Sequence, residues 1–197
     1  MKRLREEVEK NREMENEVDP LFLNRWSPRA MTGEKIDKEE LMSLFEAARW
    51  APSSYNNQSW RFVYAERDSE YWEDYLDLLV DANRRWAKEG SVLIVILSKT
   101  TFDYNDEYSR THSFDTGAAW ENLALEGARR GLVVHGMQGF DYEKAKEVVD
   151  APEEFEVEAM AVVGVRGNKE ELPEDLKESE EPNTRKPVEE IAREGKL

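Results

Sequence analysis

Six consecutive apolar residues, Val92-Leu93-Ile94-Val95-Ile96-Leu97, place the tightest limit on what this chain can fold into. A strand with one wet face alternates apolar and polar residues. An unbroken run of branched side chains belongs instead to a central strand covered on both faces. The same run is far too short to cross a bilayer, which takes about 20 apolar residues in a helix. The chain therefore needs a sheet with helices on either side, and the flanking sequence supplies them.

Asp37 begins a helix as its cap, with Glu40 reaching back and Leu41, Leu44, Phe45 and Ala48 at helical spacing. The polar loop Ala51-Pro52-Ser53-Ser54-Tyr55-Asn56-Asn57-Gln58 follows, then the alternating, aromatic-rich strand Trp60–Ala65. Ser69 is placed to cap a helix carrying Trp72, Leu76, Leu79 and Val80 on one face and ending at Gly90. Beyond the central strand, residues 114–130 form a helix rich in Gly and Ala, with Arg129 and Arg130 at its C-terminal dipole and Gly131 as a left-handed stop. Strand-like segments cover 132–137 and 157–165, separated by a helix capped by Asp141, and a short helix fits after Pro187. This order predicts an α+β (α/β-like) domain with a mixed central β-sheet flanked by helices. A chain of 197 residues suits one domain, here 20–197 including an acidic, Pro-interrupted tail over 168–197. Residues 1–19 form a charged N-terminal extension, helical or flexible, from which no chemistry is expected.

The formal net charge of −16 opposes binding to nucleic acid or anionic lipid, which relies on Lys and Arg. The start of the chain lacks the apolar stretch of a secretory signal, and there is no Cys; both point to the cytoplasm and exclude thiolate chemistry. No GxGxxG follows a strand and no GxxxxGK[ST] occurs, which removes the Rossmann and P-loop readings. His112 and His135 have no carboxylates at ligand spacing in the sequence, so no metal site is expected. Asp115 reads as a cap or brace of the small-residue helix, and the pair Glu180-Glu181 reads as a solvated face.

Three segments are richer in cations or amides than a fold requires. In extended Arg25-Trp26-Ser27-Pro28-Arg29, positions i, i+2 and i+4 project to one side, so Arg25, Ser27 and Arg29 can converge on one anion. The loop Pro52–Gln58 offers hydroxyls and carboxamides that both donate and accept, suited to a heterocycle edge or a polyol. Arg185-Lys186 forms a cationic island in the acidic tail, beside the short helix start.

Taken together, Arg25-x-Ser27-x-Arg29, Ala51-Pro52-Ser53-Ser54-x-Asn56-x-Gln58-x-Trp60, Phe114-Asp115-x-Gly117-Ala118-Ala119, Gly131-Leu132 followed by Gly136-Met137-Gln138-Gly139-Phe140-Asp141, and Arg185-Lys186-Pro187 resemble the nitroreductase family. The resemblance spans residues 21–191. It implies a nitroreductase-like fold, an intertwined homodimer, and FMN at the subunit interface with NADH or NADPH as electron donor. Arg25 and Ser27 then hold the flavin phosphate and ribityl chain, Arg29 reaches the pyrimidine side, and Arg185 and Lys186 close the phosphate site. Pro52, Ser53, Ser54 and Asn56 come from the partner subunit, Gln58 faces the ring or ribityl edge, and Gln138 and Gly139 lie near the reactive edge. No protein group is catalytic in this reading, since the flavin N5 carries hydride to nitroaromatics, quinones or similar acceptors. The same pocket in related flavoenzymes serves dehalogenation, ene reduction or flavin fragmentation, and a non-catalytic flavin-binding module is a further alternative. Ser59-Trp60 stands where a Pro often follows the Gln, and Gln138 replaces an acidic residue of other branches.

Overall fold

The computed structural model describes residues 3–196; Met1 and Lys2 of the expected extension, and Leu197, lie outside the described residues. At its centre is β2 (Val92–Lys99), buried at every position but the last. Its side chains divide by parity. Leu93, Val95 and Leu97 enter one apolar cluster, and Val92, Ile94 and Ile96 enter another on the opposite face. That two-faced burial is why the run carries no polar residue, each such side chain contributing about 2 kcal/mol of transfer free energy.

β2 pairs on one side with β1 (Trp60–Glu66) and on the other with β4 (Phe155–Val165), whose far edge takes β3 (Leu132–Met137), giving the order β1-β2-β4-β3. The helix-flanked α+β sheet expected from the sequence is present, and each of these three pairings is antiparallel. The β2–β4 register slips after Ile96. Ile96 faces Ala159 and Leu97 faces Val157, which leaves Glu158 as an extra, bulged residue.

The helices are α1 (Glu6–Glu9), α2 (Pro20–Asn24), α3 (Lys38–Arg49), α4 (Trp72–Leu76), α5 (Asp81–Ala87), α6 (His112–Arg130), α7 (Tyr142–Val148), α8 (Glu174–Lys177) and α9 (Val188–Ile191). α3 and α6 cover one face through Leu41, Leu44, Ala48, Ala119, Leu123 and Ala124. α4, α5 and α7 cover the other through Trp72, Leu76, Trp86 and Ala145. α6 lies close to β3 because Gly127 has no side chain: a Cβ there would stand 2.3 Å from Val134 Cγ2. Gly131 stops α6 at φ 83° and Asp141 caps α7 by accepting from Lys144 N, both as expected.

Three local expectations are corrected. Asp37 precedes α3, but its side chain makes no capping hydrogen bond. The single helix expected from Ser69 to Gly90 is two short ones, because Val80 N donates to Gly139 O and Leu79 bridges Phe140, drawing that backbone out of helical pairing. Glu180 is not solvated. It is buried, accepting from Arg29 N at 2.8 and 3.0 Å, Ala30 N at 2.9 Å and Arg166 Nη1 at 2.9 Å. The extension is also docked: Val8 is fully buried, Arg5 Nη2 donates to Ala128 O and Arg5 N to Asn24 Oδ1.

Candidate functional site

Where α2 ends, Arg25 turns extended and its side chain sinks beside α6. It borders a cleft of about 500 Å³ together with Ser27, the Gly117, Trp120 and Glu121 face of α6, Gly136-Met137-Gln138 at the end of β3, and Glu158. The cleft owes its space to small residues. A Cβ on Gly117 would meet nothing within 4 Å, and one on Gly136 would stand 3.0 Å from the Trp120 ring. Glu158 belongs to this wall because the bulge re-aims it; Ser98 and Ser113 hydroxyls both donate to its Oε1, at 2.5 and 2.7 Å.

A second cleft, of about 690 Å³, shares Arg25 and Glu121 with the first. Its other walls come from both ends of the chain: Arg12 to Val18 on one side, Thr184, Arg185, Lys186 and Val188 on the other. Arg12 lies close enough to Arg25 and to Arg185 to be repelled by each. Burial first, then the charges of Arg185 and Arg25, push the Arg12 guanidinium down to about 10. Opposed to them is Glu121, half-exposed, with Oε1 3.4 Å from Arg25 Nε.

The structure thus brings Arg25, Ser27 and Gln138 to one cleft and Arg25, Arg185 and Lys186 to its neighbour. It does not bring Arg29 to them. Arg29 Nη1 lies 3.5 Å from Ser179 Oγ and 3.9 Å from Glu180, on a third cleft with Arg85 and Lys88, so the expected three-way convergence of the Arg25–Arg29 segment fails within one chain. Gly139 is occupied structurally, its carbonyl accepting from Val80 N and Asn83 Nδ2. The loop Pro52–Gln58 also lies elsewhere, beside Arg61, Asp103 and Tyr104. It is a shaped loop. Tyr55, Asn56 and Gln58 have φ of 51°, 56° and 50°, Ser53 Oγ accepts from Gln58 N, and buried Asp115 accepts from Ser54 N at 3.0 Å.

Arg12, Glu121 and Glu158 were not legible as site residues. Arg12 sits in a run of mixed charges, Glu121 is one acid among many, and a bulge leaves no mark in the periodicity of 155–165. The two histidines are structural in placement. His135 Nδ1 lies 2.9 Å from Pro28 O and its ring packs on Trp86 at 4.6 Å; burial pushes its pKa down. His112, Glu156 and Glu158 do gather ligand atoms within 4.8 Å of one another, which the sequence spacing did not suggest. The carboxylates flank opposite ring nitrogens, Glu158 3.5 Å from Nδ1 and Glu156 3.9 Å from Nε2, while Ser98 Oγ lies 2.7 Å from Nδ1. Among the described residues no helix is long and apolar enough to cross a membrane.

A solved oxidoreductase containing FMN is 44% identical to this chain, aligning over 94% of it and 96% of its own length with a TM-score of 0.91. The profile of the nitroreductase family matches residues 23–85. A 15.4 kDa uncharacterized protein of Mycolicibacterium smegmatis is 30% identical over 113 residues, which is 53% of this chain and 76% of that protein. The chain belongs to the nitroreductase family. Another solved nitroreductase family protein, from Streptococcus pneumoniae TIGR4, shares the fold at 22% identity, with a TM-score of 0.71 over 89% of this chain and 98% of its own. The profile match in this nitroreductase-family chain covers Arg25, Ser27 and the Pro52–Gln58 loop, and ends before the Gln138 and Arg185 segments.

Proposed function

We propose that this protein is an FMN-dependent oxidoreductase that takes electrons from NADH or NADPH and delivers them to nitroaromatic, quinone or similar acceptors in a ping-pong cycle. The observation that carries the reading is the pair of clefts joined at Arg25: one gathers guanidiniums on a chain of net charge −16, and the other is lined by small residues and an indole. A cationic pocket beside a flat-walled one matches a ligand with a phosphate at one end and a fused ring at the other. The 44% identity to an FMN-containing oxidoreductase supports the same ligand.

Arg25, Arg185 and Lys186 hold the phosphate, Ser27 the adjoining polyol, and Gln138 the ring edge. When bound, FMN supplies the two-electron chemistry by exchanging hydride at N5. The chain's own work is positional and electrostatic. Guanidiniums fix the anionic end, Trp120 and the backbone at Gly117 and Gly136 keep a flat slot open, and Glu158 is held in place by two hydroxyl donors. Arg29 is assigned to the Glu180 anchor and left out of this set.

The Pro52–Gln58 loop acts in trans, in a homodimer whose interface carries the cofactor. Its place on a separate cleft within one chain supports this, as do the exposed rings of Tyr55 and Tyr104 lining that cleft. Reconstitution with FMN followed by anaerobic mixing with NADH or NADPH tests the proposal. Tight FMN binding and bleaching of the flavin absorbance are expected, with sedimentation at twice the 23.0 kDa chain mass. A protein that retains no FMN after reconstitution overturns the cofactor assignment, and a bound flavin that neither nicotinamide reduces overturns the donor.

A further inference from the structure

The N-terminal extension reads in the sequence as a solvated lead-in, yet one of its side chains holds both walls of the cationic cleft. Arg12 Nη1 donates to Leu23 O and to Arg25 O, the latter at 2.9 Å. The other side of the same guanidinium reaches the C-terminal segment, Nε donating to Asn183 O at 2.8 Å and Nη2 to Asn183 Oδ1 at 3.1 Å. Asn183 Oδ1 also accepts from Arg185 Nη1 at 2.8 Å, so the contact passes directly to the next cation. A second tie runs in parallel, Val188 N donating to Glu15 Oε2 at 2.9 Å.

We propose that Arg12 is a positioning residue for the phosphate end of the cofactor, clasping the Arg25 segment and the Asn183–Lys186 segment so that their cations face one dianion. The inference rests on the FMN reading above. Its physical basis is the choice of partners. Among the described residues Arg12 bonds only to carbonyl and amide oxygens, which fix its geometry without cancelling its charge. Arg12 is thereby held against the repulsion of Arg25 and Arg185, and a phosphate dianion relieves it. A planar fork that serves four acceptors on two segments is a task for arginine; an ammonium cannot span both.

The decisive comparison is FMN against riboflavin, which lacks the phosphate. Arg12→Ala is expected to weaken FMN binding by about 10- to 100-fold while changing riboflavin binding by less than about twofold. Trypsin should cut after Arg185 faster in the variant, and FMN should protect this site in the wild type; the Lys186–Pro187 bond resists trypsin in both. Arg12→Lys keeps the charge without the fork and should remain at least about fivefold weaker for FMN; it also serves where the alanine variant fails to fold. FMN affinity within about twofold of wild type in Arg12→Ala, equal weakening of FMN and riboflavin, or full rescue by lysine overturns the positioning role. Those results leave the FMN reading standing, because the wild type still binds. A wild-type protein that binds no FMN overturns both.

Discussion

Replacing Glu180 by alanine tests how the C-terminal tail is held to the domain. The carboxylate has no exposed surface and accepts from two backbone N–H groups, of Arg29 and Ala30, and from the Arg166 guanidinium. Truncation leaves Ala30 N, on a residue only 2% exposed, without its acceptor, while the Arg29 and Arg166 side chains, each 29% exposed, can turn toward water. Breaking a fully buried charge pair costs about 3–5 kcal/mol, and that partial access to water sets the expectation near the lower end, about 3 kcal/mol. For a domain of this size each kcal/mol moves the melting midpoint by about 2–4 °C, so a fall of about 6–12 °C is expected. Glu180→Gln keeps one carbonyl acceptor but turns an amide N–H₂ toward donors, and should lose about half as much. Urea unfolding followed by far-UV circular dichroism measures both. An alanine variant within about 0.5 kcal/mol of wild type, the range of ordinary surface changes, refutes the claim that this carboxylate anchors the tail.

Gly127→Ala should destabilise by about 1–3 kcal/mol despite the better helix propensity of alanine, because its Cβ would overlap Val134 Cγ2; a more stable variant in chemical denaturation shows that α6 can shift away from β3. Burial lowers the pKa of His135 below its ordinary 6.5, so the unfolded chain binds this proton more readily. Its contribution to stability is full above about pH 6.5 and is lost as pH falls through the lower folded value; His135→Gln should flatten that part of the acid slope, read as unfolding free energy at pH 7 and pH 5. Glu121→Gln removes the carboxylate that faces Arg25 and should tighten FMN about two- to fivefold, measured by flavin fluorescence quenching; weaker binding would mean that Glu121 orients Arg25.

The central strand was legible because nothing but two-sided burial explains six apolar residues in a row, and Gly131 and Asp141 because a left-handed stop and a side-chain cap are decided within a few residues. The break between α4 and α5 was hidden: Trp72, Leu76 and Leu79 keep helical spacing, and the hydrogen bond that captures Val80 comes from Gly139, 59 positions away in this numbering. The burial of Glu180 is hidden in the sequence for the same reason. An acidic tail looks solvated because the donors that bury its carboxylate, Arg29 N and Ala30 N, stand some 150 positions earlier. In the candidate site, Arg25 and Ser27 announced their cleft through local spacing, whereas Arg29, two residues on, was claimed by that same distant carboxylate.

How the cations are held explains how so acidic a chain can keep an anion site. With 44 acidic and 28 basic residues, the simplest partner for any arginine is a carboxylate, and many arginines here take one. Among the described residues Arg12 and Arg185 do not: their hydrogen-bond partners are carbonyl and amide oxygens, and of the carboxylates lining the cleft, Glu13, Glu15 and Glu121, the one that reaches Arg25 is Glu121, half-exposed. An exposed ion pair of that kind is worth no more than about 1 kcal/mol. Neutral acceptors satisfy the geometry of a guanidinium while leaving its field uncancelled, so the positive potential is spent on whatever enters the cleft. The acidic residues outside the cleft then act at long range, where salt screens them beyond about 10 Å, and the three guanidiniums act at contact, where it does not.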